Sequence, residues 1–98
     1  MFATAQQQEK AATAELTETW SAVITSAQSQ EPTTLMYALV RDKENTSQIG
    51  TIEAYTDQAA FELHCQSGAV ADLISKNKEI GGDMGFVALR MVTGWILR

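Results

Sequence analysis

The residues best suited to chemistry lie in the segment 53–65, EAYTDQAAFELHC, which carries the only histidine and the only cysteine of the chain. A neutral imidazole accepts a proton near physiological pH, so His64 is a candidate general base. Phe61 lies three positions earlier, which places both side chains on one face of a predicted helix. The alternative is that His64 is a half-buried helix residue bonded to a backbone carbonyl.

Three further residues of the same segment carry groups that can react or form hydrogen bonds. Cys65 follows it directly, but adjacent helix residues point in different directions, so we expect a buried, inert thiol and no Cys–His catalytic pair. Glu53 has apolar neighbours, and in such surroundings a carboxylate has a raised pKa that suits a base. The alternative is that Glu53 is a hydrogen-bond partner that fixes the helix start or a dimer contact. Tyr55 could stack on an aromatic ligand and donate a hydrogen bond, or end a strand with its ring in the core.

The composition argues against several classes of protein. The 98 residues carry a net charge of -5, which disfavours nucleic acid and anionic membranes as partners. One histidine and one cysteine are too few for a single-chain zinc site, so we expect no metal. No apolar run approaches the roughly 20 residues that span a bilayer, and the N-terminus lacks signal-peptide features. We therefore expect one domain, residues 1–98, in the cytoplasm.

The spacing of apolar residues predicts the first elements. Residues 1–5 (MFATA) form a candidate short strand, and residues 8–29 predict a long amphipathic helix. One stripe of this helix collects Leu16, Trp20, Val23 and Ala27. Pro32 lacks an amide hydrogen and disfavours helix before it, so the chain turns at EPTT.

Two strand-like segments follow, residues 34–41 and 48–55, joined by the polar link DKENTSQ. They are most simply an antiparallel hairpin. In the first strand of this hairpin, Tyr37 shares a face with Leu35 and Leu39. Its side chain either lines a cavity or packs in the core. In the second, alternation places Ile49, Thr51, Glu53 and Tyr55 on one face.

The last third of the chain predicts another helix and a final strand. Asp57 is placed to cap a helix that begins at Gln58, pauses at Ser67–Gly68, resumes to about Asn77 and breaks at Gly81–Gly82. Residues 85–97 (GFVALRMVTGWIL) predict a strand that is buried on both faces in places and is interrupted by Arg90.

The order strand, helix, strand, strand, helix, strand indicates an α+β, ferredoxin-like βαββαβ fold with a four-stranded antiparallel sheet. Both helices would lie on one face of this sheet. Because no further element remains to cover the other face, we predict a homodimer whose sheets face one another.

The stretches EPTTLMYALVRD and IEAYTDQAAFELHCQS resemble the antibiotic biosynthesis monooxygenase family, through an EPG-type turn, an E-x-W or E-x-Y pair and an A-A-F-x-x-H helix. The resemblance implies a dimeric α/β barrel with a pocket between helices and sheet. It also implies oxygenation of a small aromatic substrate, a flat phenol, anthrone or quinol, without flavin, haem or metal. The residues that carry over are His64 and Tyr55 as catalytic residues, with Glu53 and Phe61 as substrate contacts. On this hypothesis Thr51 is a further polar contact, and Tyr37 and Trp20 complete the apolar wall; the alternative for Trp20 is a place in the core.

The chain also departs from the family pattern. Tyr55 stands where many oxygenases of the family have tryptophan, and Thr51 where several have asparagine. The first strand lacks the asparagine of haem-degrading relatives, which disfavours haem as a substrate. A non-catalytic dimeric barrel that binds a hydrophobic ligand or stabilises a partner is the alternative, and it would have the same fold.

Overall fold

The computed structural model describes residues 1–8, 13–45, 48–79 and 84–95. Its strands are β1 (Phe2–Gln8), β2 (Thr34–Arg41), β3 (Gln48–Tyr55) and β4 (Met84–Leu89), and its helices are α1 (Thr13–Gln30), α2 (Gln58–Cys65) and α3 (Gly68–Glu79). The strands form one antiparallel sheet in the order β2-β3-β1-β4. The predicted ferredoxin-like α+β fold is confirmed, with its second helix divided into α2 and α3.

The central hairpin forms where the sequence predicts it, because β2 and β3 have the predicted bounds. In the turn between them, the Asp42 carboxylate accepts the backbone N–H groups of Glu44 at 2.8 Å and Asn45 at 2.7 Å. These two donors stabilise the charged carboxylate and lower the pKa of Asp42. Residues 46–47 of the predicted turn lie outside the described residues.

The first strand is longer than predicted. It reaches Gln8, where the sequence predicted a helix to begin, so that predicted helix start is wrong. Gln6 and Gln7 pair with β3 on one side and with β4 on the other. Backbone hydrogen bonds to two neighbouring strands keep these residues extended, although their side chains are polar.

The last strand is shorter than predicted, because it ends at Leu89 instead of Leu97. Phe2, where β1 begins, pairs with Leu89, so the residues that follow Leu89 extend beyond the ladder. Arg90 comes directly after the strand and is exposed, instead of interrupting it. The described side chains of β4 are half-buried or exposed in the single chain, so the expected burial on both faces stays a prediction that requires the second copy. Residues 96–97, and the predicted break at Gly81–Gly82, lie outside the described ranges.

The predicted stripe of α1 forms the centre of the core. Leu16, Trp20, Val23 and Ala27 are each at most 1% exposed. Leu16, Trp20 and Val23 pack with apolar side chains of the sheet and of α3, namely Ala5, Ile49, Val70 and Leu73. This packing confirms the predicted amphipathic face of the first helix.

The second helical region also follows the sequence prediction. The Asp57 carboxylate accepts the backbone N–H of Ala60 at 2.8 Å, which caps α2 at its N-terminus. The helix ends at Cys65, and the Ser67 hydroxyl accepts the N–H of Val70 at 3.3 Å as α3 begins. Within the described ranges, no helix is both long and apolar enough to cross a membrane.

The sheet has two faces with different surroundings. The covered face, which packs beneath the helices, carries Ala3, Ala5, Gln7, Tyr37, Leu39, Ile49, Thr51, Glu53 and Tyr55. The open face carries Phe2, Met36, Val40, Gly50, Ile52, Val87 and Leu89. Gly50 is needed on this face because a Cβ there would lie 2.5 Å from the carbonyl oxygen of Ala5.

Candidate active site

A row of polar side chains on β3 forms the base of the candidate site. Thr51, Glu53 and Tyr55 alternate onto the covered face and are between 1% and 3% exposed. The Tyr55 hydroxyl donates to Oε1 of Glu53 at 2.6 Å, and the Thr51 hydroxyl donates to Oε2. Thr51 also accepts the backbone N–H of Ala5 at 3.0 Å. Glu53 is therefore a hydrogen-bond partner, as one interpretation predicted, but its partners are on its own strand.

Helix α2 brings His64 against this row. The ring of His64 is 3% exposed and lies between two tyrosines, with ring centroids 5.1 Å from Tyr37 and 5.5 Å from Tyr55. Phe61, one turn earlier, meets Tyr55 edge to face at 5.3 Å. The predicted common face of Phe61 and His64 thus points at the sheet.

Glu31 is a member of the site that the sequence analysis missed. Its Oε1 lies 2.7 Å from Nδ1 of His64 and accepts the Thr34 hydroxyl at 2.9 Å. Because a carboxylate without a proton only accepts hydrogen bonds, this contact requires a proton on Nδ1. Glu31 is the first residue of the EPTT turn, 33 residues before His64. Its place in that turn was the one sequence feature that could have pointed to it.

The two tyrosines of the site remain protonated at neutral pH. Burial, followed by the negative charge of Glu53, raises the pKa of Tyr37. Burial, followed by the hydrogen bond to Glu53 and its charge, raises the pKa of Tyr55. Trp20 donates its Nε1–H to the Tyr37 hydroxyl at 3.2 Å, which fixes that ring from α1. The Tyr37 hydroxyl therefore keeps a proton that it can donate, whereas the Tyr55 hydroxyl donates its proton to Glu53.

The fold brings together all of the residues predicted for the site: His64, Tyr55, Tyr37, Thr51, Glu53, Phe61 and Trp20. We call this group, with Glu31 and Thr34, the buried cluster. Leu35 does not join it, because a register shift between Thr34 and Met36 leaves Leu35 56% exposed. Cys65 is exposed, so the prediction of a buried thiol is wrong. It follows His64 on the helix and therefore points away from the sheet.

Two of the surface depressions that border the buried cluster include helix residues. A pocket of about 260 Å³ between α1 and β2 is lined by Tyr37 and Thr34, together with Ile24, Ala27, Gln28, Leu35 and Met36. A shallower groove of about 520 Å³ beside the α2–α3 junction is lined by Glu31. His64, Glu53 and Tyr55 line neither depression. Trp20 and its neighbours fill the space under α1 in the single chain.

In the part of the chain that the structure describes, no three side chains of histidine, cysteine, aspartate or glutamate lie together in a way that could hold a metal ion. The histidine of the buried cluster bonds instead to one carboxylate.

A family model matches the sequence of this chain, and solved structures match its fold. The family model described as antibiotic biosynthesis monooxygenase matches residues 4–76. A candidate antibiotic biosynthesis monooxygenase from Deinococcus radiodurans superposes with a TM-score of 0.76 at 16% identity, covering 99% of this chain and 97% of that one.

Two further solved structures agree with this fold. One antibiotic biosynthesis monooxygenase gives a TM-score of 0.70 at 22% identity, covering 93% of this chain and 100% of that one. A conserved protein from Methanosarcina mazei Go1 gives 0.75 at 15% identity, covering 91% of each chain. No curated protein matched the sequence. At these identities the structural likeness shows the fold.

Proposed function

The chain belongs to the antibiotic biosynthesis monooxygenase family, and from that premise we propose that it is a cofactor-independent monooxygenase of an aromatic, polyketide-type phenol, anthrone or quinol. The observation that supports this proposal is the position of His64. Its ring is buried between two tyrosines, and its Nδ1 is bonded to a carboxylate. This arrangement suits a base that removes a proton from an aromatic substrate.

The proposed reaction needs the protein to bind and deprotonate its substrate. Nε2 of His64 takes a proton from the substrate, and the electron pair of the broken bond stays on the substrate as an anion. This anion transfers one electron to dioxygen, and the resulting radical and superoxide combine to form a C–O bond. For an anthrone, the peroxide takes up a proton and loses water, so that a CH₂ group and O₂ become a C=O group and H₂O.

The other members of the buried cluster would hold the substrate and its anion. Because its pKa is raised, the Tyr37 hydroxyl keeps its proton and can donate a hydrogen bond to the substrate. The Tyr55 hydroxyl already donates its proton to Glu53, so Tyr55 would offer its ring as a stacking surface. Glu53 and Thr51 fix Tyr55, and Trp20 fixes Tyr37. Phe61 supplies an apolar wall. The bound anion would then be shielded from water, which strengthens each of these contacts.

The pocket between α1 and β2 is our candidate entrance for the substrate. Its volume of about 260 Å³ is close to the lower end, about 300 Å³, of pockets that bind small molecules. Tyr37 lines this pocket and also contacts the ring of His64, so it connects the opening with the proposed base. Reaching His64 from there requires movement of the side chains around Tyr37.

We further propose that the chain forms a homodimer through the open face. Large apolar side chains on this face are exposed in the single chain: Met36 41%, Val40 40%, Ile52 49%, Val87 50% and Leu89 45%. An apolar surface of this kind favours burial against a second copy. Two-fold symmetry would pair each sheet with its equivalent and complete the dimeric barrel.

One observation favours the alternative of a non-catalytic barrel that binds a hydrophobic ligand or a partner. The polar groups of β3 bond to one another, and His64, Glu53 and Tyr55 line neither of the bordering depressions. In that case the buried cluster would serve to fix α2 on the sheet. The same fold would then bind without turnover.

Oxygen consumption separates the two functions. With a reduced anthrone or quinol and no added cofactor, we expect turnover by the unaltered protein and a loss of about 10²- to 10⁴-fold for His64→Ala. Cys65→Ser is the matched control, because it changes the next residue of α2 without touching the buried cluster. Ligand binding without oxygen uptake across a broad panel of substrates would support the alternative instead.

A further inference from the structure

We infer that Glu31 is a positioning residue for His64, and that it sets which ring nitrogen acts as the base. This inference rests on the proposed function. The sequence gives no local reason to link the two residues, since they are 33 positions apart in different elements. In the fold, Glu31 begins the α1–β2 connection, and its carboxylate contacts His64 of α2.

The contact between the two side chains is short and shielded from water. Nδ1 of His64 and Oε1 of Glu31 are 2.7 Å apart, and the side chains are 4% and 12% exposed. A hydrogen bond to a charged acceptor is about twice as strong as one between neutral groups. Because water competes little at this depth, the bond holds the proton on Nδ1 and leaves Nε2 as the acceptor.

The carboxylate of Glu31 is itself held in place. The Thr34 hydroxyl donates to the same oxygen, Oε1, at 2.9 Å. Glu31 also lines the groove of about 520 Å³ beside the α2–α3 junction. Its carboxylate is therefore held by Thr34 of the sheet on one side and borders this groove on the other.

Other ionisable groups near the ring have different partners. Glu53, the second carboxylate of the buried cluster, bonds to Thr51 and Tyr55. Glu62 lies on the exposed side of α2, where it accepts a hydrogen bond from Gln58. Within the described part of the chain, the contact of Nδ1 with Glu31 is therefore the one hydrogen bond that sets the tautomer of His64.

This position also suits the proposed proton transfer. When the substrate loses its proton, the new bond forms at Nε2, while Nδ1 keeps its own proton and the ring becomes positively charged. The carboxylate 2.7 Å away then faces an imidazolium, and the opposite charges attract. Glu31 thus acts through His64 and does not need to contact the substrate.

The tautomer of His64 can be measured directly by ¹⁵N NMR of histidine-labelled protein, because the chain has a single histidine. We expect the protonated nitrogen to be Nδ1 in the unaltered protein and in Glu31→Gln, whose amide oxygen still accepts a hydrogen bond. In Glu31→Ala we expect the proton to redistribute toward Nε2. Glu62→Gln removes a nearby charge without touching the ring, so it should leave the tautomer unchanged.

Turnover gives a second readout. We expect Glu31→Ala to lower kcat by about 10- to 100-fold with a smaller change in KM, and Glu31→Gln to restore part of the loss. Glu62→Gln should turn over at the unaltered rate.

The results separate this inference from the proposed function. A proton found mainly on Nε2 in the unaltered protein overturns the inference, even if no variant can be purified. The same holds if Glu31→Ala changes neither the tautomer nor kcat while His64→Ala abolishes turnover. If Glu31 controls the tautomer but no substrate is oxygenated, the positioning role stands and the proposed function fails.

Discussion

The two faces of the sheet differ in which side chains they bury and which they expose. Beneath the helices, polar groups such as Thr51, Glu53 and His64 are at most 3% exposed, and each is hydrogen-bonded. On the open face, apolar side chains such as Ile52 and Val87 are about half exposed. A protein selected for stability as a monomer would reverse this distribution, because buried polar groups and exposed apolar groups both cost free energy. This contrast supports the proposed site on the covered face and the proposed association through the open face.

The largest expected effect comes from breaking the covered face at its centre. Trp20→Ala removes a fully buried indole and the donor to Tyr37, so we expect the free energy of unfolding to fall by about 3–5 kcal/mol. Urea unfolding measures this loss. Trp95→Ala is the matched control, because Trp95 is 68% exposed and its loss should cost no more than about 0.5 kcal/mol. Similar losses for the two tryptophans would contradict the assigned core.

A charge on the open face tests whether this face is the dimer interface. Ile52→Glu would place an unpaired carboxylate in the interface of both copies, so we expect dimer formation to weaken by at least about 100-fold, or about 2.7 kcal/mol. The monomer should keep its circular dichroism spectrum. Sedimentation velocity over a range of concentrations measures the change.

Ile74 offers a close control for this experiment. It is the same residue type with nearly the same exposure, 50% against 49% for Ile52, but it lies on α3. Ile74→Glu should leave association unchanged. Equal dissociation of the two variants, or a dimer that survives Ile52→Glu, would show that the open face is not the interface.

The most gradual effect tests the description of the covered face as polar and buried. The pKa values of Tyr37 and Tyr55 are raised in the folded chain above the ordinary value of 10.0. Below pH 10 both states keep these protons, and the stability from the tyrosines is fully present. Above pH 10 the unfolded chain releases its protons first, so stability falls by about 1.4 kcal/mol per pH unit for each tyrosine.

Denaturant titrations between pH 9 and pH 11.5 measure this slope. Glu53→Gln should reduce the total loss, because the carboxylate charge is one of the causes that raise both pKa values. A stability that stays constant across this range would show that the tyrosines titrate alike in the folded and unfolded chain. The two rings would then be in contact with water.

Much of the local structure was predictable from the sequence. The bounds of β2 and β3, the Asp57 cap and the α1 stripe depend on residues a few positions apart, and each was predicted correctly. The common face of Phe61 and His64 also follows from helical spacing. These predictions succeeded because the side chains that the local pattern assigns to the core are the ones that the fold buries.

The errors occurred where distant partners decide the outcome. The glutamines of β1 stay in the strand because two other strands pair with them, and β4 ends where its pairing with β1 ends, at Phe2 and Leu89. Leu35 leaves its expected face because of a register shift. None of these features depends on the neighbours in sequence, so periodicity could not show them.

The sequence by itself determined the elements, their order and the side of each element that faces the core, since these depend on spacing and on backbone preferences within a few residues. The tertiary structure decided that Glu31 meets His64, where the outer strands end, and which side chains of the sheet remain exposed. These outcomes depend on packing between segments tens of residues apart, whose contact energies exist only once the sheet has formed.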